Sequence, residues 1–207
     1  MILLIDTAGS SLRLAIATND GSLRECIEAV PSEAERTIHD ARLADECAKL
    51  LERTNVQPDQ IEKIGVVIGP GSFTGLRIGL AFAKGFAMAT TARLVPVVRH
   101  AIVAKAVNDI GQATHSAQWI VTPAYRTESL FAAPFDSPED VRLVARDALT
   151  GTKLEEEELG GNERMTAMAR IVQAARNRTA DEAALQLVEL EPLYLVDFVP
   201  NAGLERL

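Results

Sequence analysis

The stretch Gly69-Pro-Gly-Ser-Phe-Thr-Gly75 joins a short apolar run, Ile64-Gly-Val-Val-Ile68, to a longer apolar segment that ends near Thr90. The run has the length and composition of a buried strand, and the segment after Gly75 has the length of a helix. A strand that passes through a glycine-rich turn into a helix is typical of α/β folds. We therefore expect residues 69–75 to connect a buried strand to a helix.

The segments around this turn predict the rest of the first half. Residues 2–5 and 12–18 are apolar runs, and Asn19-Asp20-Gly21 is a common hairpin turn, so two or three antiparallel strands open the chain. Apolar residues at helical spacing predict an amphipathic helix over residues 33–54, and Arg93–Val98 predicts a further strand. The order βββαβαβ predicts a three-layer α/β domain of RNase H-like type.

The second half of the chain predicts a smaller lobe. Residues 118–122, 128–135 and 141–144 predict strands separated by turns that contain proline or aspartate, and residues 163–178 predict a helix. The acidic run Leu154-Glu-Glu-Glu-Glu-Leu159 is expected at the surface. We predict an N-terminal lobe over residues 1–100 and a reduced C-terminal lobe over residues 101–207, whose last helix packs back on the first lobe.

Composition and charge exclude several classes of protein. The 207 residues are 47% hydrophobic and 24% charged, which is ordinary for a globular protein. With 21 basic against 29 acidic residues the formal charge is −8, so the chain repels a phosphate backbone and is not expected to bind nucleic acid by itself. The first apolar run is too short for a signal peptide or a membrane span, and Cys26 and Cys47 form no Cys-x-x-Cys motif. We expect a cytoplasmic protein with no membrane association.

Motifs for metal binding and nucleophilic catalysis are missing from the sequence. The Gly71-Ser-Phe-Thr-Gly75 turn places its second glycine one residue too late for a serine nucleophile elbow, and Pro70 stands where a phosphate-binding P-loop needs its first glycine. Three histidines are too far apart in sequence to form a recognised metal motif, namely His39, His100 and His115. We therefore predict no catalytic and no metal-binding residues, and a peptidase is the weakest alternative.

The segment Asp6-Thr-Ala-Gly-Ser-Ser11 follows the first predicted strand. Actin-like ATPases keep an aspartate for Mg²⁺ and small residues for phosphate at this position, so Asp6, Thr7 and Ser10 are candidate nucleotide-binding residues. On this interpretation the chain is an independent nucleotide-dependent phosphotransferase or ATPase. The other interpretation is a tight hairpin in which Asp6 and Ser10 satisfy backbone donors. The sequence leaves both open.

The apolar helix after Gly75 is the second candidate site, and Arg77 and Lys84 are its only charged residues. Burial of its six large apolar side chains would contribute on the order of 10 kcal/mol, so we expect cover on both sides. These six are Leu76, Ile78, Leu80, Phe82, Phe86 and Met88. A second helix could pack closely on a stripe of small residues formed by Gly75, Gly79, Ala83 and Ala87. The cover is either this chain's own sheet and neighbouring helix or a partner protein.

Three motifs resemble the TsaB (YeaZ-type) family, glycoprotease-like accessory subunits in the bacterial synthesis of threonylcarbamoyladenosine on tRNA. They are Ile2-Leu-Leu-Ile-Asp-Thr7, Gly69-Pro-Gly-Ser-Phe-Thr-Gly-Leu-Arg-Ile-Gly79 and Glu191-Pro-Leu-Tyr-Leu195. The resemblance implies a two-lobed actin-like ATPase (RNase H-like) fold and a non-catalytic role in supporting the paralogue TsaD. TsaD transfers the threonylcarbamoyl group to N6 of adenosine 37 in tRNAs that read codons beginning with A. The ATPase TsaE is implied as a further partner, and tRNA is contacted only through the complex.

The resemblance also implies where partners bind. The helices around residues 38–51 and 75–90 are expected to form a bundle with helices of TsaD or, in a homodimer, of a second copy. The implied interface residues are Ile38, Ala41, Phe73, Gly75, Arg77, Gly79, Phe82, Ala83 and Lys84. No cofactor of its own is implied, so any ATP and Mg²⁺ are expected on the partners. Two departures from the family stand out: residues 31–38 lack a histidine that relatives often have, and Pro123-Ala-Tyr125 replaces Asp-Ala-Arg, which weakens the case for a nucleotide site.

Overall fold

The computed structural model describes residues 1–30, 39–111, 117–124, 128–155, 159–176 and 189–193, with backbone alone at residues 39–41 and 155. The strands are β1 (Ile2–Asp6), β2 (Leu12–Ala17), β3 (Leu23–Ala29), β4 (Lys63–Gly69), β5 (Arg93–Val98), β6 (Trp119–Pro123), β7 (Ser129–Pro134), β8 (Arg142–Ala145) and β9 (Lys153–Glu155). The helices are α1 (His39–Thr54), α2 (Phe73–Thr90), α3 (Arg99–Asp109) and α4 (Gly161–Ala174).

The first sheet has the strand order β3-β2-β1-β4-β5. Neighbours among strands β3, β2 and β1 pair antiparallel, whereas β1, β4 and β5 run parallel. Parallel neighbours need a long crossover connection, and the one before β4 contains α1 while the one before β5 contains α2. The central strand β1 is apolar from Ile2 to Ile5 and buried on both faces, as a strand covered by helices on each side requires. This confirms the predicted RNase H-like order of elements.

Helices cover both faces of the first sheet. On one face, α1 and α2 pack on every second side chain of the strands, including Leu3, Ile5 and Val66. On the other face, α3 and α4 pack on Ile2, Leu4 and neighbouring side chains. The result is the predicted three-layer domain.

The second sheet has the order β8-β7-β6-β9 among the described residues, with β8, β7 and β6 antiparallel and β6 parallel to β9. It therefore repeats the plan of the first sheet with one strand fewer. Helix α3 lies between the sheets, because Val103 and Val107 pack with Ile120 of β6 and Leu154 of β9. The two-lobed mixed α/β fold is confirmed, while the lobe boundary at residue 100 stays a prediction.

The structure differs from the predicted elements in three places. Helix α3 was not predicted, and β9 overlaps the start of the acidic run, where Leu154 is buried rather than at the surface. Helix α4 ends at Ala174, earlier than expected. The predicted start of the first helix, at residues 33–38, lies outside the described residues. None of the helices that the structure describes is long and apolar enough to cross a membrane.

Candidate functional site

The inner face of α2 packs directly on the end of β1. The Thr7 hydroxyl donates a hydrogen bond of 2.8 Å to the carbonyl oxygen of Gly75. A methyl group at Gly79 would collide with the same hydroxyl oxygen, so glycine is needed for this approach. At the start of the helix, Ser72 caps the first turn by accepting a hydrogen bond from the Gly75 amide.

The small-residue stripe of α2 is buried within this chain. Gly75, Gly79 and Ala83 belong to the buried face of the helix. They therefore lie inside the chain's own first lobe, which corrects the prediction that this stripe faces a partner. The physical reason is that the sheet itself needs the close approach: Thr7 occupies the space that a partner helix was expected to fill.

The opposite face of α2 is open. Met88 is 73% exposed, and Ala81 and Gly85 are exposed as well. Among the described residues, no atom lies within 4 Å of the position that a Cβ of Gly85 would take. Phe82 and Phe86 flank this face, partly buried, with ring centroids 6.1 Å apart. We call Arg77, Ala81, Phe82, Gly85, Phe86 and Met88 the outer surface of α2. Of the six large apolar side chains of the helix, Leu76 and Leu80 are buried within this chain and Met88 is exposed.

The remaining predicted interface residues lie around this surface or outside the description. The Arg77 guanidinium lies 5.3 Å from the centroid of the Phe73 ring, a cation–π distance. Lys84 is half-buried on the other flank of the helix. Ile38 lies outside the described residues, and for Ala41 the structure gives only its place in the backbone of α1.

A cluster of charged side chains surrounds Asp6 at the carboxyl end of β1. Asp6 is 1% exposed, and its Oδ1 accepts a hydrogen bond of 3.0 Å from the Ala8 amide. Its Oδ2 lies 3.3 Å from Nη2 of Arg164 on α4 and 3.7 Å from Nη1 of Arg13 on β2. The Ala8 contact is the backbone donor that the hairpin interpretation assigned to Asp6.

The guanidinium group of Arg99 lies in the same region, near the residues that follow β1. Nη1 of Arg99, the first residue of α3, donates to the carbonyl oxygens of Ala8 and Pro70, both at 3.4 Å. The sequence singled out Asp6 but none of these arginines. Arg13 pairs with Asp6 across the β1–β2 hairpin, whereas Arg99 and Arg164 lie far along the chain, so no spacing pattern signals that these two meet Asp6.

The charge on Asp6 is set by two opposing effects. Burial raises the pKa of its carboxyl group, whereas Arg164, Arg99 and Arg13 lower it, and the net pKa is below the usual value. Asp6 is therefore an ionised carboxylate inside the protein, stabilised by its guanidinium neighbours.

The residues around Asp6 do not fit a Mg²⁺–nucleotide site. Mg²⁺ requires oxygen ligands in near-octahedral geometry, but the Oδ2 atom that would face it is in contact with two guanidinium groups. Thr7, a candidate phosphate ligand, uses its hydroxyl inside the helix–sheet contact. Ser10 is exposed in the turn before β2. The three candidate residues thus have different surroundings, and only Asp6 lies in the charged cluster.

The other reactive side chains are buried as structural groups. Nε2 of His100 lies 2.9 Å from Oγ1 of Thr122, and burial together with Arg99 lowers the pKa of the imidazole to about 3. Burial raises the pKa of the thiols of Cys26 and Cys47 to about 11, so neither is a thiolate at neutral pH. Among the described residues there is no group of three or more His, Cys, Asp or Glu side chains that could hold a metal ion.

Two of the motifs in the sequence meet in the structure. The amide of Leu193 donates a hydrogen bond of 2.7 Å to the carbonyl oxygen of Ile68, at the point where the β4–β5 register shifts. Leu193 also lies against Gly69, at the start of the glycine-rich turn. The described part of the Glu191-Pro-Leu-Tyr-Leu195 motif therefore supports the turn that leads into α2.

Comparisons with known proteins agree on one type of protein. The family model described as "TsaD: tRNA N6-adenosine threonylcarbamoyltransferase" matches residues 26–116. The chain is 35% identical over 86 residues to the tRNA threonylcarbamoyladenosine biosynthesis protein TsaB of Bacillus subtilis (strain 168), which covers 42% of this chain and 35% of that protein. It is 32% identical over 96 residues to the protein of the same name from Escherichia coli (strain K12), which covers 46% of this chain and 39% of the relative. The chain thus matches well under half of the length of these curated relatives.

Two solved structures share the fold. YeaZ from Pseudomonas aeruginosa aligns with a TM-score of 0.52 at 22% identity, over 70% of this chain and 64% of that one. A protein described as uncharacterized, with similarity to peptidase YeaZ from Pseudomonas aeruginosa, aligns with a TM-score of 0.57 at 19% identity, over 72% of this chain and 68% of that one. At these identities the likeness extends to the fold alone.

Proposed function

We propose that this TsaB/YeaZ-type chain is a non-catalytic partner subunit in the synthesis of threonylcarbamoyladenosine on tRNA. Relatives named TsaB support the pathway, and the match of residues 26–116 to the TsaD family model supports a paralogue of TsaD type as the catalytic partner. In this role the chain supports transfer of the threonylcarbamoyl group to adenosine 37. It acts in the cytoplasm, with a TsaE-type ATPase as a further partner, and it contacts tRNA only through the complex.

The outer surface of α2 is the observation that carries this proposal. A glycine inside a helix costs about 1 kcal/mol relative to alanine, and no neighbour of Gly85 within this chain requires it. Gly85 and Ala81 leave the backbone open to close approach, while Met88, Phe82 and Phe86 supply apolar area around them. A helix of the TsaD-type partner, or of a second copy when that partner is missing, would bury this area.

Charge favours a partner helix with an acidic residue near the start of α2. Arg77 is exposed there beside the Phe73 ring, although the chain as a whole carries a formal charge of −8. A carboxylate at the edge of an interface contributes orientation and association rate more than affinity. The apolar side chains should therefore dominate the binding energy, and Arg77 should set the register of the partner helix.

The interface is tested with the TsaD-type paralogue from the same cell. Gly85→Leu and Met88→Glu should each weaken co-purification at least about tenfold, because one blocks helix approach and the other buries a charge. Leu143→Glu on β8 is the matched control, since Leu143 is also an exposed apolar side chain, at 40% exposure, but lies on the second lobe. Unchanged complex formation by both α2 variants would exclude this surface.

The role in the pathway is tested by reconstitution. Threonylcarbamoyladenosine on tRNA is measured by mass spectrometry with the paralogue, a TsaE-type protein and the enzyme that supplies threonylcarbamoyl-AMP, with and without this chain. Modification should depend on the chain, and Met88→Glu should lower it in proportion to the lost complex. Full modification without the chain would refute the proposal.

A further inference from the structure

The two helices that connect the lobes both begin near Asp6. Helix α3 leads from the first sheet to the second, and its first residue is Arg99. Helix α4 follows β9 and returns to the first sheet, with Arg164 at the end of its first turn. Both helices pack on the first sheet, so a movement of the second lobe that carries either helix with it requires that helix to shift against the first sheet.

We propose that Asp6 and the guanidinium groups of Arg13, Arg99 and Arg164 form a clasp that fixes the joint between the two lobes. The clasp occupies the end of β1 where an actin-like ATPase holds Mg²⁺ and nucleotide. Its members come from four elements: β1, β2, α3 and α4. The inference is independent of the proposed partner role, because it concerns contacts within this chain alone.

The contacts of the clasp are of the strong kind. Hydrogen bonds between ionised groups are stronger than neutral ones, and Asp6 and Arg164 are both almost fully shielded from water. Arg13 connects the clasp to the edge of the sheet through an ion pair of 2.7 Å with Glu28 on β3. The amino-terminal ends of α3 and α4 also favour a negative charge at Asp6 through the helix dipole. Removing the carboxylate of Asp6 would leave the neighbouring guanidinium groups without the negative charge that balances them.

The far end of α4 is held as well. Nζ of Lys63 donates to the carbonyl oxygens of Val172, Gln173 and Ala175, at distances of 3.0 to 3.2 Å, where the helix ends. Gly65 allows Val172 to pack closely on β4, because a Cβ there would lie 2.5 Å from Cγ2 of Val172. Helix α4 is thus fixed to the first sheet at both ends.

A second contact holds the start of α3. The imidazole of His100, the residue after Arg99, forms a hydrogen bond with the hydroxyl of Thr122 on β6 of the second sheet. The start of α3 therefore contacts the carboxyl end of the first sheet through Arg99 and the second sheet through His100. In this arrangement the guanidinium groups supply the positive charge that a divalent cation would supply, and they do so permanently.

Amide hydrogen exchange on the full chain tests the clasp. Asp6→Asn keeps the shape of the side chain and removes its charge, so exchange in the first hydrogen-bonded turns of α3 and α4 should accelerate about tenfold. Glu46→Gln is the matched control, since Glu46 is also paired with two basic side chains, Arg42 at 3.3 Å and Lys49 at 3.0 Å, but on α1. It should leave both turns unchanged. Wild-type exchange rates in Asp6→Asn would overturn the proposal.

If Asp6→Asn does not fold, the thermal midpoint of the wild-type chain with Mg²⁺ and ATP tests the clasp instead. Millimolar Mg²⁺ with ATP should leave the Tm unchanged, because the guanidinium groups already occupy the carboxylate. A rise in Tm that needs both Mg²⁺ and ATP, with slowed exchange around Asp6, would show that the clasp opens for a nucleotide and would overturn it. Arg164→Lys keeps the charge but loses the forked donor, and it should accelerate exchange in α4 more than in α3.

Discussion

The two helix layers on the first sheet are held in different ways. The layer of α1 and α2 packs through apolar side chains and one close backbone approach, and it leaves the outer surface of α2 open. The layer of α3 and α4 is also apolar, but charged side chains hold its ends: the buried Arg164 and the half-buried Arg99 at one side, and the half-buried Lys63 at the other. The comparison fits the two proposals made above, in which one layer offers a surface to a partner protein and the other fixes the joint between the lobes.

Two glycines on opposite faces of α2 give the sharpest test of this comparison. Gly79→Leu should lower the free energy of unfolding by roughly 3 kcal/mol, because it forces Thr7 away from β1 and breaks its bond to Gly75. The same change at Gly85 meets no neighbour among the described residues and should keep or slightly raise stability, because leucine favours a helix more than glycine does. Urea unfolding followed by circular dichroism measures both.

The outcome separates the two faces of the helix. Equal losses of stability in Gly79→Leu and Gly85→Leu would mean that both faces are internal, and the outer surface could not then be an interface. Because Gly79→Leu disturbs the folded chain itself, loss of complex formation in that variant says nothing about a partner.

The α3 layer is expected to lose stability in acid through His100. The folded-state pKa is about 3, whereas the unfolded imidazole binds a proton near its ordinary value of 6.5. Below pH 6.5 the unfolded chain therefore binds more protons, and stability falls by about 2 kcal/mol between pH 6.5 and 5. His100→Gln keeps a donor for Thr122 but does not titrate, so its stability should fall less. Parallel stability–pH curves for the two proteins would contradict this assignment.

The smallest expected effect concerns the open face alone. Gly85→Ala should raise the free energy of unfolding by up to about 1 kcal/mol, because alanine favours the helix and its methyl group meets open space. The thermal midpoint of the isolated chain reports this gain. A lower midpoint would indicate a contact at Gly85 within the chain.

The sequence predicted the strands and helices that carry regular patterns. Apolar runs bounded by turns identified β1, β2, β4 and β5, and the glycine-rich turn placed the start of α2. Helix α3 was not predicted because it follows β5 without a turn and is buried against both sheets. Its sequence therefore lacks a clear alternation of apolar and polar residues at helical spacing. Burial on several sides removes the pattern on which such predictions depend.

The candidate sites were predicted less completely than the fold. Asp6 was identified from its place after a strand, but Arg99 and Arg164 lie far away in sequence and could be found only in three dimensions. Arg13 is nearer, as the cross-strand partner of Asp6 in the first hairpin. For α2 the sequence pointed to a stripe of small residues that the structure buries against this chain's own sheet. Gly79 and Gly85 look alike in sequence, and only the position of the sheet shows which of them faces inward.

The return of α4 to the first sheet has a consequence for how the chain folds. Met165, Met168 and Val172 complete the layer over Ile2 and Leu4, which lie some 160 residues earlier in the chain. During synthesis α3 covers only part of that face until α4 has left the ribosome, so the first lobe cannot finish folding from its own residues alone. Folding of the whole core is therefore coupled to the completion of nearly the entire described chain.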